Sequence, residues 1–167
     1  MKELSLIDAA RLTSPNPVSL VCSRPSAGVT NLATVSWWTY LSLKPEIIGF
    51  AMMKTSYTGE TVRAGKEVVL TVPGEPLAKQ VMQCGSSTGR TRDKVKDFAI
   101  ELKAIPDCDI QIPVHSVVAI HGVLREFVDV GDHYFYICDV KHVYGDADEN
   151  PLFAWKGYSK IAPAKEG

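Results

Sequence analysis

Two long β-rich runs, residues 114–130 and 133–144, flank the sequence Asp129-Val130-Gly131-Asp132. An aspartate and a glycine in a short polar break between two such runs encode an antiparallel hairpin. A hairpin cannot bury its faces alone, so its arms demand further strands. Candidates are 17–22 (PVSLVC), closed by the turn 23–28 (SRPSAG), then 32–40 (LATVSWWTY), 46–53 (EIIGFAMM) and 68–72 (VVLTV). Pro45 stands at the start of the third of these, where a strand tolerates proline, and Pro73-Gly74 stops the fourth. Three short helices fit between strands. Residues 56–64 have a Ser or Thr cap, Glu60 in the first turn and Gly65 as the stop. Residues 76–83 begin with proline and place Leu77, Val81 and Met82 on one face. Residues 92–98 follow Thr91 as cap, with Val95, Phe98 and Ala99 expected inward. Six or so strands without regular β-α alternation exclude a doubly wound sheet. They predict a mainly β fold, a β-barrel with short helices.

Length and charge narrow the function. The 167 residues are expected to form a single domain over 1–167, and 46% apolar content excludes disorder. Eighteen Lys and Arg against nineteen Asp and Glu leave a net charge of −1, which excludes the basic surface of a nucleic-acid binder. No apolar run reaches the ~18–20 residues of a membrane span and no export signal opens the chain, so a cytoplasmic protein is expected. Cys22, Cys84, Cys108 and Cys138 are scattered without a C-x-x-C pair and read as reduced, mostly buried thiols. The four histidines read as strand-surface residues. His115 and His121 share the parity of one strand but stand about 20 Å apart along it, too far to share a metal, and no metal site is expected.

Three segments carry candidate chemistry. Residues 85–89, Gly-Ser-Ser-Thr-Gly, match G-x-S-x-G, but that motif needs a strand before the serine and here a helix precedes it. The stretch Cys84 to Arg90 reads better as an anion cradle, since small residues let backbone N–H groups approach a ligand and a cation follows. The G-x-x-x-x-G-K-[ST] spacing of a P-loop is absent. Lys54-Thr55-Ser56-Tyr57-Thr58 places a cation and short hydroxyls where a strand hands over to a helix N-terminus, a setting that suits phosphate as well as ordinary capping. Asn31 to Trp38 interleaves hydroxyls with two tryptophans, offering donors beside flat aromatic surface, as a planar heteroaromatic ligand requires. Trp37 and Trp38 are expected on opposite faces, one toward the core and one toward an interface. No G-x-G-x-x-G follows a strand, so no dinucleotide-binding fold is encoded.

In this order, NPVSLV, NLATVSWWTYLSLKPEIIGFAM, KTSYTGETV, CGSSTGRTRDKVKDF, GDHYFYICDV and PLFAWKGY resemble the flavin reductase-like family, and within it the flavoredoxin-like members. The resemblance spans about residues 17–158 and implies an FMN-binding split β-barrel. It implies that Thr34, Val35, Ser36 and Trp37 line the isoalloxazine, with Asn31 reaching the ribityl chain. It implies that Lys54, Thr55, Ser56, Tyr57 and Thr58 hold the phosphate. Cys84, Gly85, Ser86 and Lys94 are implied to close the pocket on the ribityl-phosphate or pyrimidine side, with Lys94 the cation at the pyrimidine edge. Lys54 stands where the family often has arginine, which keeps the charge and loses the two-pronged geometry. The family commonly forms homodimers, so residues 155–158 are expected to cover a partner's site.

The implied activity is that of an NAD(P)H:flavin oxidoreductase. Hydride would pass from nicotinamide to flavin N5, and electrons would go on to an acceptor that the sequence does not identify. The alternative is a flavoredoxin-like electron-transfer protein that carries FMN without turning over NAD(P)H. In either case the cofactor does the hard chemistry and no catalytic side chain is required. A related barrel that binds haem is set aside because no histidine falls in the three pocket segments. A single domain of this length has no separate nicotinamide fold, so NAD(P)H is expected to dock transiently on the exposed face of the flavin.

Overall fold

The long hairpin forms. Strands β9 (Ser116–Val130) and β10 (His133–Gly145) pair antiparallel around Gly131 and Asp132. Gly131 has φ of +80°, the backbone that a two-residue turn with glycine first requires and that a side chain would strain. The computed structural model describes residues 1–26 and 28–164, so the expected turn over 23–28 is described except for Ala27.

A seven-stranded sheet is built on this hairpin. Its other members are β2 (Ser19–Ser23), β3 (Asn31–Val35), β4 (Trp38–Leu43), β5 (Glu46–Met53) and β6 (Glu67–Pro73). The order is β3-β2-β6-β9-β10-β5-β4, with every neighbouring pair antiparallel. The two outermost strands are consecutive in the chain, separated only by Ser36 and Trp37. The expected single strand over 32–40 therefore bends at its centre and serves both edges of the sheet. At the bend side chains take over from the ladder: Ser19 Oγ donates to the Val35 carbonyl at 2.9 Å and Ser36 Oγ to the Pro17 carbonyl at 2.9 Å. Beyond the bend the Ala51 N–H donates to the Trp37 carbonyl at 2.8 Å and begins the pairing of β4 with β5. The result is a split barrel, with the chain itself spanning the opening.

Both faces of the sheet are buried along its centre. Val21, Val68, Leu70, Ile48, Phe50 and Tyr136 fill the barrel, with the Phe50 and Tyr136 rings stacked at 5.1 Å. The opposite side, carrying Leu20, Cys22 and Val69, is covered by α3 (Ala78–Gly85) and by the hairpin of β7 (Leu102–Ile105) and β8 (Cys108–Pro113). A small sheet of β1 (Asn16–Pro17), β11 (Leu152–Trp155) and β12 (Lys160–Pro163) completes that layer.

The helices depart from expectation in detail. In α2 (Tyr57–Gly65) Ser56 is the cap, accepting from the Gly59 N–H at 3.2 Å, and the left-handed stop is Lys66 at φ 61°, not Gly65. Pro76 lies second in a 3₁₀ turn (Glu75–Leu77) ahead of α3. Met82, expected inward, is 39% exposed, and Cys84 packs in its place. In α4 (Lys94–Asp97) the cap is Asp93, not Thr91, and Ala99 lies at the surface while Val95 and Phe98 face the core. The expected strand from 114 starts at Ser116, because Val114 and His115, the latter at φ 67°, form the turn between β8 and β9. Helix α1 (Leu6–Leu12) was not foreseen, although Ser5 and Asp8 form a readable capping signature, the Ser5 hydroxyl accepting from the Asp8 N–H at 3.2 Å. The four cysteines are free thiols; Cys108 is half-buried and the others are buried.

Candidate functional site

A cleft of about 450 Å³ opens where the barrel splits. The bend at Ser36 and Trp37, the N-terminus of α2 and the end of α3 converge on it. Of the residues singled out by sequence, Thr34, Val35, Ser36, Trp37, Thr55, Ser56, Tyr57, Thr58, Cys84, Gly85 and Lys94 line it. Asn31, Lys54 and Ser86 do not.

Each of these placements has a local cause. Thr34 Oγ1 donates to the Val81 carbonyl at 2.6 Å and fastens β3 to α3. Asn31 is buried behind the cleft, its amide donating to Thr58 Oγ1 at 2.7 Å. Gly89 approaches the Asn31 side-chain oxygen so closely that a Cβ would overlap it, so the 85–89 loop packs directly on this strut. Ser86 Oγ turns back to the Met82 and Gln83 carbonyls and finishes α3. Ser87 likewise donates to the Gln83 carbonyl at 2.7 Å after a helix, so the nucleophile elbow is not formed.

Lys94 is the most unusual group. It is 3% exposed, and its ammonium donates to the Leu32 carbonyl at 2.8 Å and the Cys84 carbonyl at 2.9 Å. Among the described residues it forms no ion pair. Burial lowers its pKa, partly countered by Cys84. Burial in turn pushes the Cys84 thiol up to about 11, against the pull of Lys94, so Cys84 is a poor nucleophile.

Lys54 takes another direction. The register of β10 on β5 brings the hairpin tip beside Met53, and Lys54 Nζ lies 2.6 Å from Asp129 Oδ2 and 5.3 Å from the centre of the Tyr134 ring. The hydrogen bond from Lys54 holds the Asp129 carboxyl below the usual range.

Ser87, Thr88 and Gly89 line it too, within the Cys84 to Arg90 stretch read as a ligand cradle, whereas Ile7 and Ala10 come from α1, which sequence reasoning did not connect. His133 contributes as well, its ring 5.1 Å from Trp37 and its Nδ1 2.6 Å from Asp132 Oδ1. A histidine therefore does stand at the cleft, contributed by the hairpin as a fourth segment. Ala154, Gly157 and Tyr158 line the cleft of their own chain. Trp37 is 50% exposed at the rim, while Trp38 packs against the barrel core. His121, expected at the surface, is buried. No helix among the described residues is long and apolar enough to cross a membrane.

Comparison with known proteins places this architecture. The flavoredoxin of Methanosarcina acetivorans superposes with a TM-score of 0.83 at 16% identity, covering 100% of this chain and 94% of its own. The NADH:FAD oxidoreductase of Streptomyces globisporus gives 0.84 at 13% identity and 99% coverage of both chains. An FMN-binding protein of Thermus thermophilus, with bound 1-cyclohex-2-enone, gives 0.83 at 19% identity, covering 100% of this chain and 97% of its own. At these identities the likeness establishes the fold. The sequence itself matches the model of the flavin reductase like domain over residues 11–162, and the chain belongs to that family.

Proposed function

We propose that the cleft binds FMN and that the protein is an NAD(P)H-dependent flavin reductase. The observation that carries this reading is Lys94: a buried ammonium with no carboxylate partner among the described residues, beside the Trp37 segment and a rim of hydroxyls. A buried charge is costly until it is paired, and an anionic or electron-rich ligand edge would pair this one. The volume and the mix of apolar wall with few polar groups suit a cofactor of this class.

Within that reading the phosphate would sit at the start of α2, whose first N–H groups have no partner inside the helix. Ser56 caps the helix and turns its proton toward Met52 Sδ, and Ser87 gives its proton to the Gln83 carbonyl, which leaves the hydroxyls of Thr55, Thr58 and Thr88 as side-chain donors. Lys54, already paired with Asp129, would assist from a distance. The Thr34 to Trp37 bend and Lys94 would hold the ring system, Cys84 and Gly85 would close its side, and Asn31 and Ser86 would brace the walls. Bound FMN supplies acceptance of a hydride and onward transfer of electrons. Lys94 would stabilise negative charge developing at the ring edge. Trp37 and His133 would form the wall on which NAD(P)H docks, with Asp132 orienting the imidazole.

The structural likeness to flavoredoxin favours a second reading, a carrier of FMN electrons without nicotinamide turnover. Titration with FMN and anaerobic addition of NADH or NADPH decide both points. Tight FMN binding weakened at least about tenfold in Lys94→Met, with circular dichroism unchanged, is expected. FMN affinity unchanged in that variant overturns the site. Bleaching of the bound flavin by either nucleotide selects the reductase, and bleaching by neither selects the carrier.

A further inference from the structure

Glu67, Cys108 and His121 are far apart in sequence and lie outside the cleft, yet the fold brings one potential ligand atom from each within 4.8 Å of the others. We propose that they form a binding site for a divalent transition metal ion, with zinc the best match, which clamps the β7–β8 hairpin to the large sheet.

The juxtaposition follows from register. Val69 on β6 pairs with His121 on β9, and Glu67 lies two residues before Val69 on the same face. Carboxylate and imidazole are thus diagonal neighbours, and Nε2 of His121 lies 2.9 Å from Oε1 of Glu67. Cys108 opens β8, the strand that folds over this face, and adds its thiol from a third segment.

The chemistry of the set favours a metal over an ordinary ion pair. Thiolate, imidazole and carboxylate are the zinc donors, and three of them leave one position open. Their bond lengths of 2.0–2.3 Å imply ligand atoms roughly 3.3–3.7 Å apart in a tetrahedron. The observed spacing therefore closes with about 1 Å of side-chain movement, for which the half-exposed Glu67 has room. His121 is 4% exposed, and among the described residues its Nδ1 has no partner, so Glu67 satisfies only half of the imidazole. The 2.9 Å contact is a hydrogen bond from Nε2–H to the Glu67 carboxylate, and ligation of a cation at Nε2 would move the ring proton to Nδ1 and let imidazole and carboxylate bind the ion together. Binding replaces the thiol proton of Cys108 with the metal and releases that proton to solvent. His142 stacks on His121 at 5.9 Å between centroids and does not converge on the site, which makes it a useful control.

The test uses the full chain, stripped with a chelator and titrated with Co²⁺, whose thiolate complexes absorb by ligand-to-metal charge transfer. One equivalent of Co²⁺ producing that band, displaced by Zn²⁺, lost in Cys108→Ser and kept in His142→Ala, is expected. No band, or a band that survives Cys108→Ser, overturns the site. Should Cys108→Ser not fold, Glu67→Gln is the second variant. It retains the band and weakens Zn²⁺ binding about tenfold or more, and unchanged affinity there overturns the proposal.

Discussion

At the scale of residues, Lys94 stands at the cleft as the family resemblance implies, and Lys54 does not. Lys54 stands in a run of hydroxyls at a helix start, yet its charge is spent on Asp129. Lys94 sits in an unremarkable polar helix, yet it is buried at the cleft. Two predictions rest on this difference. Lys54→Ala should change FMN affinity by no more than about fivefold, the ceiling for an exposed ion pair, as read by fluorescence titration. Lys94 should make FMN binding depend on pH. Burial lowers its pKa in the free protein, whereas an anionic ligand restores it. Binding then takes up a proton, so affinity is full below the lowered value and falls as pH rises through it toward the ordinary lysine range. Stability of the free protein runs the opposite way. In that window the unfolded chain holds the proton and the native protein does not, so unfolding free energy rises with pH. A flat affinity profile across the alkaline range would exclude Lys94 as the ligand's partner.

At the scale of elements, the hairpin carries more than its own pairing. Its tip places Asp129 against Lys54 and His133 against Trp37, so the turn at Gly131 sets one wall of the cleft. Gly131→Val forces a branched residue into φ +80° and should cost about 1–2 kcal/mol in urea unfolding. The same variant should weaken NAD(P)H use more than FMN binding, because the contacts proposed for phosphate and ring lie on α2, the bend and α4. Legibility also varied by element. The long hairpin and β5 were readable because their runs are long and their turn or proline signals unambiguous. Strands β1, β7, β11 and β12 were missed because each has only two to four residues and depends on partners distant in sequence. The bend between β3 and β4 was missed because alternation continues through it and only the hydroxyls of Ser19 and Ser36, bonded across strands, end the ladder.

At the scale of the whole molecule, the outermost strand β4 leaves an apolar surface uncovered. Tyr40, Leu41 and Leu43 are exposed there, with Trp37 at its start. An aromatic edge strand left open in this way invites a second chain, and we propose a homodimer built on this face. Light scattering should give twice the chain mass, and Leu43→Arg should return it to that of one chain. A single-chain mass for the unaltered protein would reject the dimer. The tail does not support an exchanged cover, since Gly157 and Tyr158 already line the cleft of their own chain.

What the sequence determined by itself was local and chemical: the β-rich class, the hairpin, the capped start of α2, and the residue types that a flavin site would use. These depend on side-chain periodicity and turn preferences, which act over a few residues. What only the tertiary structure decided was convergence. That includes Lys94 turned inward while Lys54 is drawn to Asp129, His133 brought to Trp37 by strand register, and Glu67, Cys108 and His121 gathered from three strands. Such meetings are set by which strands pair and in what register, and that choice is made by the packing of the two cores as a whole.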